Sequence, residues 1–150
     1  MTISICTFEE LTAVQLYAIL QLRSAVFVVE QDCVYQDIDG KDKKALHVIG
    51  YKNNEVVAYT RIFRAGDYFD IASIGRVVVK DTEREHGYGN AIMEASITAL
   101  TVRFGTQNIK LSAQTYLKKF YNTLGFIASG EEYLEDGIPH IAMIKYSETS

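Results

Sequence analysis

The sequence predicts an α/β fold with one central mixed sheet and helices on both of its faces. Two observations support this class. Short apolar segments typical of strands alternate along the chain with longer segments of helical periodicity. The segment from Ile74 to Ala113 places a helix between two strands, which requires a crossover connection and at least one parallel strand pair. No internal repeat or linker interrupts residues 1–150, so we expect a single domain.

The first half of the chain predicts three strands, one helix and a long polar loop. In chain order they are a strand at Ile3–Cys6, a helix at Leu11–Val28, a loop at Glu30–Lys44 and strands at His47–Tyr51 and Glu55–Phe63. Either Thr7 or Thr12 is suited to cap the helix. The turn residues Lys52-Asn53-Asn54 join the last two strands, and we expect these strands to pair as an antiparallel hairpin.

The second half adds the crossover unit and a final hairpin. The predicted elements are a strand at Phe69–Val79, a helix at Asn90–Phe104, a strand at Ile109–Ala113, a helix at Tyr116–Leu124 and strands at Phe126–Tyr133 and His140–Tyr146. Gly125 closes the third helix because glycine readily adopts the left-handed conformation that ends helices.

Composition and charge exclude several classes of protein. Fifteen Lys and Arg against 19 Asp and Glu give a net charge of −4, which argues against a general nucleic-acid binder. No apolar run approaches the roughly 20 residues needed to span a bilayer, and the N-terminus lacks the basic region of a signal peptide. We therefore expect a cytoplasmic protein without a membrane partner. The two cysteines form no disulfide framework, and three separated histidines make a metal site unexpected.

The segment Val77–Asn90 carries the strongest chemical signal. A β-branched strand enters a polar loop that contains Gly87 and Gly89, and a helix follows at once. Glycines let backbone N–H groups approach a ligand closely, and a helix N-terminus attracts phosphate. Arg84 adds a full positive charge with a planar fork of donors. The loop is therefore suited to hold a pyrophosphate, although a glycine-containing connection without function is the alternative.

Two motifs in register resemble the GNAT superfamily of acyl-CoA-dependent N-acyltransferases. The superfamily's phosphate-loop pattern, Arg/Gln-x-x-Gly-x-Gly/Ala, is matched by Arg84, Gly87 and Gly89. Its later Phe-Tyr-x-x-x-Gly-Phe pattern is matched by Phe120, Tyr121, Gly125 and Phe126. The spacing between them leaves room for one helix and one strand, as in that fold. The resemblance implies a mostly antiparallel sheet with two splayed parallel strands at the cofactor cleft.

A narrower resemblance points to the ElaA-like subfamily of GNAT proteins. The blocks that carry it are Arg23–Gln31, Asp37-Ile38-Asp39-Gly40, Ile74-Gly75-Arg76-Val77, Ala113-Gln114 and Glu135–His140. These blocks lie in both halves of the chain and do not identify an acceptor.

The resemblance implies an acetyl-CoA-dependent N-acetyltransferase that needs no metal. The pantetheine arm of the co-substrate is expected to pair with the backbone of Ile74–Val79, and Gly75 suits a bulge that splays this strand. The residues expected to contact the co-substrate are Val77, Val78, Val79, Arg84, Glu85, His86, Gly87, Tyr88, Gly89, Asn90, Gln114 and Tyr121. A non-catalytic CoA sensor and a plain interaction module remain the alternative functions.

The same resemblance assigns Tyr121 as the general acid that protonates the leaving thiolate, with a packing tyrosine as the alternative. No motif assigns the general base. The candidates are Glu30, Asp32, Asp37, Asp39, His47, Glu135, Asp136 and His140, and a water chain is a further alternative. Of these we assign His140, because histidine accepts protons near neutral pH, with a structural hydrogen bond as the alternative for this residue.

The acceptor is expected to be a primary amine on a small molecule or a peptide. Glu135 and Asp136 are predicted to form one wall of its pocket, stiffened by Pro139, and to face Glu30 and the acidic loop that ends at Asp39. Facing carboxylates would attract an ammonium, although each carboxylate also suits a solvated turn. A homodimer is compatible with the sequence, which does not determine the oligomeric state.

Overall fold

A computed structural model describes residues 1–105 and 107–147 of the chain. Its seven strands are β1 Thr2–Thr7, β2 Leu46–Lys52, β3 Glu55–Phe63, β4 Ala72–Val79, β5 Ile109–Gln114, β6 Ile127–Glu135 and β7 Ile138–Lys145. Its α-helices are α1 Ala13–Arg23, α2 Tyr88–Phe104 and α3 Lys118–Thr123. A π-helical segment, Ser24–Glu30, continues α1, and a short 3-10 turn precedes α3.

The strands form one mixed sheet in the order β1-β2-β3-β4-β5-β7-β6. Every neighbouring pair is antiparallel except β4 and β5, which are parallel. The right-handed crossover expected of such a unit contains α2. The predicted fold class, a mostly antiparallel mixed sheet with one crossover pair, is therefore confirmed.

The parallel strands β4 and β5 separate soon after they meet. Their paired positions are Ala72 with Ile109 and Ser73 with Lys110. Beyond this point β5 continues to pair with β7 as far as Gln114, opposite His140. The sheet is therefore open between β4 and β5 toward their carboxyl ends, which is the splay that the sequence analysis expected.

Helices cover both faces of the sheet. On one face, Ile19, Leu22 and Val26 pack with Tyr59 and Val78. On the other face, α2 and α3 pack against the sheet in a larger core. Its members include Ala58, Ile62, Ile74, Ile92, Leu100, Leu111, Tyr121 and Phe126. Face I below denotes the α1 side of the sheet, and face II the α2 side. The hydrophobic residues buried on both faces hold the two layers in place.

Local sequence explains where α1 begins. Thr12 is the N-cap, and its side chain accepts from the backbone N–H of Gln15 at 3.1 Å. The Gln15 side chain accepts in turn from the backbone N–H of Thr12 at 2.9 Å, which completes a capping box. Of the two predicted caps, Thr12 is therefore the one used. Thr7 forms a similar reciprocal pair with Glu10, at 2.8 and 3.3 Å, in the turn before the helix.

The helical stretch Ala13–Glu30 is closer to membrane-spanning length than the sequence analysis expected. Its 18 residues have a mean hydropathy of 1.3, which by length and composition alone satisfies the criterion for a membrane span. Ile19, Leu22 and Val26 of the stretch pack on the sheet. A helix that contacts the core of a folded domain meets the same criterion.

An arginine–aspartate cluster lies on face I and pins the loop between α1 and β2. It consists of Arg23, Arg61 and Arg76 with Asp37, Asp39 and Asp42. Arg23 is fully buried and donates to Asp37 Oδ2 at 2.9 Å and to Asp42 Oδ1 at 2.8 Å. Because the arginines project from α1, β3 and β4, the cluster ties three elements to one loop.

The charges within the cluster balance and stabilise one another. Burial alone would raise the pKa of Asp42, but hydrogen bonds and charges from Arg23 and Arg61 outweigh it and lower that pKa. Next to the cluster, burial lowers the pKa of His47. Its Nε2–H donates to the Asp42 carbonyl at 2.9 Å, so Nδ1 accepts from the Tyr59 hydroxyl at 2.6 Å. His47 is therefore neutral and structural, which argues against the general-base role considered for it.

Replacing Arg23 with Met should destabilise the fold strongly. The change keeps a side chain of similar length but removes one arginine partner from each of the buried carboxylates Asp37 and Asp42, which retain only Arg76 and Arg61. We expect the free energy of unfolding to fall by about 3–5 kcal/mol, as for other buried pairs broken on one side. Lys52→Met is the matched control, because it breaks a partly exposed pair with Glu83 near the surface and should cost far less stability. Equal effects of the two variants in urea unfolding would contradict a structural role for the cluster.

Candidate functional site

A single cavity of about 650 Å³ occupies the gap between β4 and β5. Its lining includes Ile74 and Leu111, whose side chains belong to the core of face II. It also includes Ser73 and Ser112, which alternate with those residues and therefore point to face I. The cavity thus reaches both faces of the sheet, so that two molecules could meet inside it from opposite sides.

The N-terminus of α2 forms one end of the cavity. Gly87 is its N-cap with φ +76°, a conformation that favours glycine, and no side chain caps the first turn. Unlike α1, whose first amides are satisfied by its capping box, α2 leaves N–H donors available for a ligand. The residues of the loop and first turn that line this end are Arg84, Glu85, Gly87, Tyr88, Gly89 and Asn90.

Arg84 is paired with a carboxylate at this end. Its Nη2 donates to Glu30 Oε1 at 2.8 Å and its Nη1 to Glu30 Oε2 at 2.5 Å. The side chain also donates to the Val79 carbonyl. The hydrogen bond from Arg84 lowers the pKa of Glu30, so this carboxylate is ionised at neutral pH. A phosphate that binds Arg84 would therefore compete with Glu30.

Tyr121 lies on α3 beside the same end of the cavity and is 5% exposed. Its ring makes edge contacts with Phe120 and Phe126. Burial raises the pKa of the Tyr121 phenol above its usual value, and nearby Tyr116 raises it further. The hydroxyl of this cavity-lining residue is therefore protonated across the physiological pH range, as a proton donor requires.

A bulge in β4 reshapes the cavity wall. The register with β3 shifts between Tyr59 and Arg61, so that β4 contains one extra residue there. The residue with positive φ is Arg76, at +49°, and not Gly75, on which the sequence analysis placed the bulge. Ion pairs with Asp37 and Asp39 hold Arg76 in this strained conformation, and its guanidinium lies over the Tyr35 ring.

The remaining predicted co-substrate residues divide between the cavity and its surroundings. Val77, Val79 and Gln114 line the cavity. Gln114 also exchanges hydrogen bonds with Gln31. Val78 points away from the cavity into the core of face I, and His86 lies outside the lining near Glu83. Side chains alternate between the two faces along β4, which explains why Val78 points to the face opposite that of Val77 and Val79.

The segment Glu135–His140 lies at the far end and meets the loop after α1, as predicted. The Cys33 thiol donates to the Asp136 carbonyl at 3.2 Å. His140 Nδ1–H donates to the Ile138 carbonyl at 2.6 Å, and its Nε2 lies 3.2 Å from Glu135 Oε2. Nε2 therefore faces the Glu135 carboxylate and is the ring nitrogen through which His140 could exchange a proton.

Several carboxylates of the loop expected opposite this segment are paired with arginines. Asp37 and Asp39 are ion-paired with the three arginines of the cluster, and Glu30 lies at the other end of the cavity with Arg84. The loop therefore contributes neutralised carboxylates, and the positive ends of Arg61 and Arg76 line the cavity in their place. Glu30, Glu135 and Asp136 all line the cavity, and their role in binding an amine stays a prediction.

Sequence reasoning missed several lining residues on face I. They are Tyr35, Arg61, Phe63, Tyr68, Phe69, Ser73 and Ser112. One signal was available for Arg61, since an arginine interrupts the apolar strand Val56–Phe63. Phe69 fell within the predicted strand Phe69–Val79, whereas β4 begins at Ala72 and Phe69 lies in the preceding turn. Within residues 1–105 and 107–147, no cluster of three or more His, Cys, Asp or Glu is suited to a metal.

Known proteins share this sequence and architecture. A family model described as an acetyltransferase (GNAT) domain matches residues 9–147. Protein ElaA of Escherichia coli is 46% identical over 139 residues, covering 91% of both chains, and its crystal structure superposes with a TM-score of 0.90 over 96% of this chain and 98% of that one. An acyl-CoA N-acyltransferase from Pseudomonas aeruginosa is 37% identical with a TM-score of 0.91, covering 97% and 99% of the two chains.

A more distant match shows the fold alone. An aminoglycoside 6'-N-acetyltransferase, solved in complex with coenzyme A, is 17% identical with a TM-score of 0.72 over 97% of both chains. The family model, by contrast, spans nearly the whole chain, and the E. coli relative exceeds 40% identity over most of both proteins. This chain therefore belongs to the GNAT acetyltransferase family.

Proposed function

We propose that this protein is a cytoplasmic acetyl-CoA-dependent N-acetyltransferase that transfers an acetyl group directly to a primary amine. One observation carries the proposal. A single cavity joins the uncapped N-terminus of α2 to the buried hydroxyl-bearing residue Tyr121 and to the gap between β4 and β5. Unpaired helix amides can bind the phosphates of a donor, and a protonated phenol beside them can protonate its leaving group. The two features together favour an acyl-CoA transferase over a cavity without function.

The donor is proposed to enter from face II. Backbone N–H groups from Gly87 to Asn90 would hold the pyrophosphate at the start of α2. The unpaired edge of β4 beyond Ser73 would offer backbone groups of Val77 and Val79 to the pantetheine arm, as one strand does to another. This arrangement directs the thioester into the gap, where face I is accessible to an amine.

The chemistry requires a proton donor for the leaving thiolate. The amine attacks the thioester carbonyl, the carbon–sulfur bond breaks, and a protonated thiol leaves when Tyr121 donates its proton. A phenol can protonate a thiolate whose conjugate acid has a pKa of about 8.5 if the two are held close. A backbone N–H of the bulged segment near Val77 would stabilise the oxyanion. His140 Nε2, or water bound nearby, would receive the proton that the amine loses.

Acetyl-CoA should stabilise the folded protein, and Gly87→Val should abolish this effect. Ligand present at one hundred times its dissociation constant raises the free energy of unfolding by about 2.7 kcal/mol. Valine at φ +76° also destabilises the free protein, by about 1–2 kcal/mol. Gly105→Val is the matched control, since Gly105 has φ +86° at the opposite end of α2. Thermal unfolding with and without acetyl-CoA distinguishes loss of ligand binding from destabilisation of the free protein. The melting temperature of Gly105→Val should still rise with acetyl-CoA, whereas that of Gly87→Val should not. An unchanged melting temperature for the wild type would rule out the proposed donor site.

Tyr121→Phe should lower turnover by about 10²–10⁴ while the affinity for acetyl-CoA stays the same. The ring and its packing are retained, and only the proton donor is lost. Single-turnover measurements of CoA thiol formation report the chemical step, so that slow product release does not mask the effect. Tyr17→Phe, which changes an exposed tyrosine on the outer face of α1, serves as the control. Because burial raises the pKa of Tyr121, the wild-type rate should show no loss from this group up to about pH 10. Wild-type turnover in the Phe variant would reject the role.

A further inference from the structure

We propose that Arg61 and Ser73 form a carboxylate-binding subsite on face I, and that the acceptor is an amino acid rather than a polyamine or another purely cationic amine. This inference rests on the proposed function and names its substrate class. Both residues line the cavity and each is only 2% exposed. Each also has a buried polar atom, Arg61 Nε and Ser73 Oγ, without a hydrogen-bond partner among the described residues.

The hydrogen bonds of Arg61 leave one side of its guanidinium free. The Nη1 and Nη2 groups hold both oxygens of Asp39, at 2.8 and 2.6 Å, and Nη1 also donates to Asp42 at 3.0 Å. The remaining donors are Nε–H and the second N–H of Nη2, which lie side by side in the guanidinium plane. This pair matches the two oxygens of a carboxylate and is a preferred geometry for its recognition.

Ser73 lies on the same face as Arg61 and close to it. In the β3–β4 register, Ser73 is opposite Phe63 and Gly75 is opposite Arg61, so the two side chains are neighbours along the face. Ser73 is also the last β4 position that pairs with β5, opposite Lys110, and therefore marks the closed end of the gap. A buried hydroxyl without a partner is costly, and a ligand oxygen at this point would satisfy it.

The charges around the subsite favour a ligand that carries both signs. Three arginines and three aspartates make the arginine–aspartate cluster neutral, so a lone anion would leave a net negative charge in a buried region. An amino acid adds no net charge. The side chain of the amino acid can pack on Phe63, Tyr68 and Phe69, which line the cavity beside the subsite.

The first experiment compares matched acceptors with wild-type protein and acetyl-CoA. Each common amino acid is tested with its amide and with its decarboxylated amine, for example L-phenylalanine, L-phenylalaninamide and 2-phenylethylamine. We expect kcat/KM for at least one acid to exceed that of its two analogues by about tenfold or more, since a hydrogen bond to a charged group has this effect. Equal rates within every set, or no turnover of any acid while acetyl-CoA still raises the melting temperature, would overturn the inference and leave the donor site intact.

Two dead-end ligands give a readout independent of turnover and identify the anion. Phenylacetate should bind to the CoA-saturated protein and inhibit competitively with the amine, whereas phenyl phosphate should bind at least about tenfold more weakly. The reverse preference would assign the subsite to a phosphate and contradict the carboxylate.

Ser73→Ala tests the subsite without removing a contact of the free protein. Its unfolding midpoint should equal or exceed that of the wild type, while the preference for acid over amine falls about tenfold and the KM for acetyl-CoA is unchanged. Arg61→Lys keeps the positive charge but loses the parallel N–H donors of the guanidinium, and should also reduce the preference for acid over amine.

The matched control is Ser96→Ala on face II. The Ser96 hydroxyl forms hydrogen bonds with Thr60 at 2.6 Å and with the Ile92 carbonyl at 2.7 Å. Ser96→Ala should lower stability and leave the preference unchanged. A preference that survives both Ser73→Ala and Arg61→Lys would refute the proposal.

Discussion

The arginine–aspartate cluster is the constraint on which the acceptor side of this protein depends. The loop between α1 and β2 has no strand partner and little apolar surface of its own, yet it forms one wall of the cavity. Arginines from α1, β3 and β4 hold it in place. The same contacts hold Arg76 at positive φ and so stabilise the β4 bulge. Buried ion pairs add little stability compared with apolar packing, but losing one partner is expensive, so the loop has one well-defined position.

The gap in the sheet makes the cavity accessible from both faces of the sheet. Because β4 and β5 pair only at Ala72 and Ser73, the gap above them connects the α2 face with the α1 face. The features suited to a phosphorylated donor, an uncapped helix and Arg84, lie on the α2 side. The unpartnered Arg61 and Ser73 lie on the α1 side. Donor and acceptor would therefore approach the reacting carbon from opposite faces without competing for space.

The sequence predicts the donor side far better than the acceptor side. Strand and helix periodicity located every strand of the sheet within a few residues, and local motifs marked Gly87, Gly89 and Tyr121. These signals lie within short segments. The acceptor side depends on residues far apart in the chain, such as Arg23, Asp42 and Arg61, whose pairing is set by the tertiary fold. Counting carboxylates in the loop suggested a negative surface, because the sequence does not show which arginines neutralise them.

The most direct test of this account is a crystal structure of the protein with bound CoA. The account predicts that the pyrophosphate accepts hydrogen bonds from backbone N–H groups between Gly87 and Asn90. It also predicts that the pantetheine arm lies in the gap beside β4, and that the loop held by the arginine–aspartate cluster keeps its position. CoA bound elsewhere on the surface, or β4 and β5 paired along the length of the gap, would contradict it.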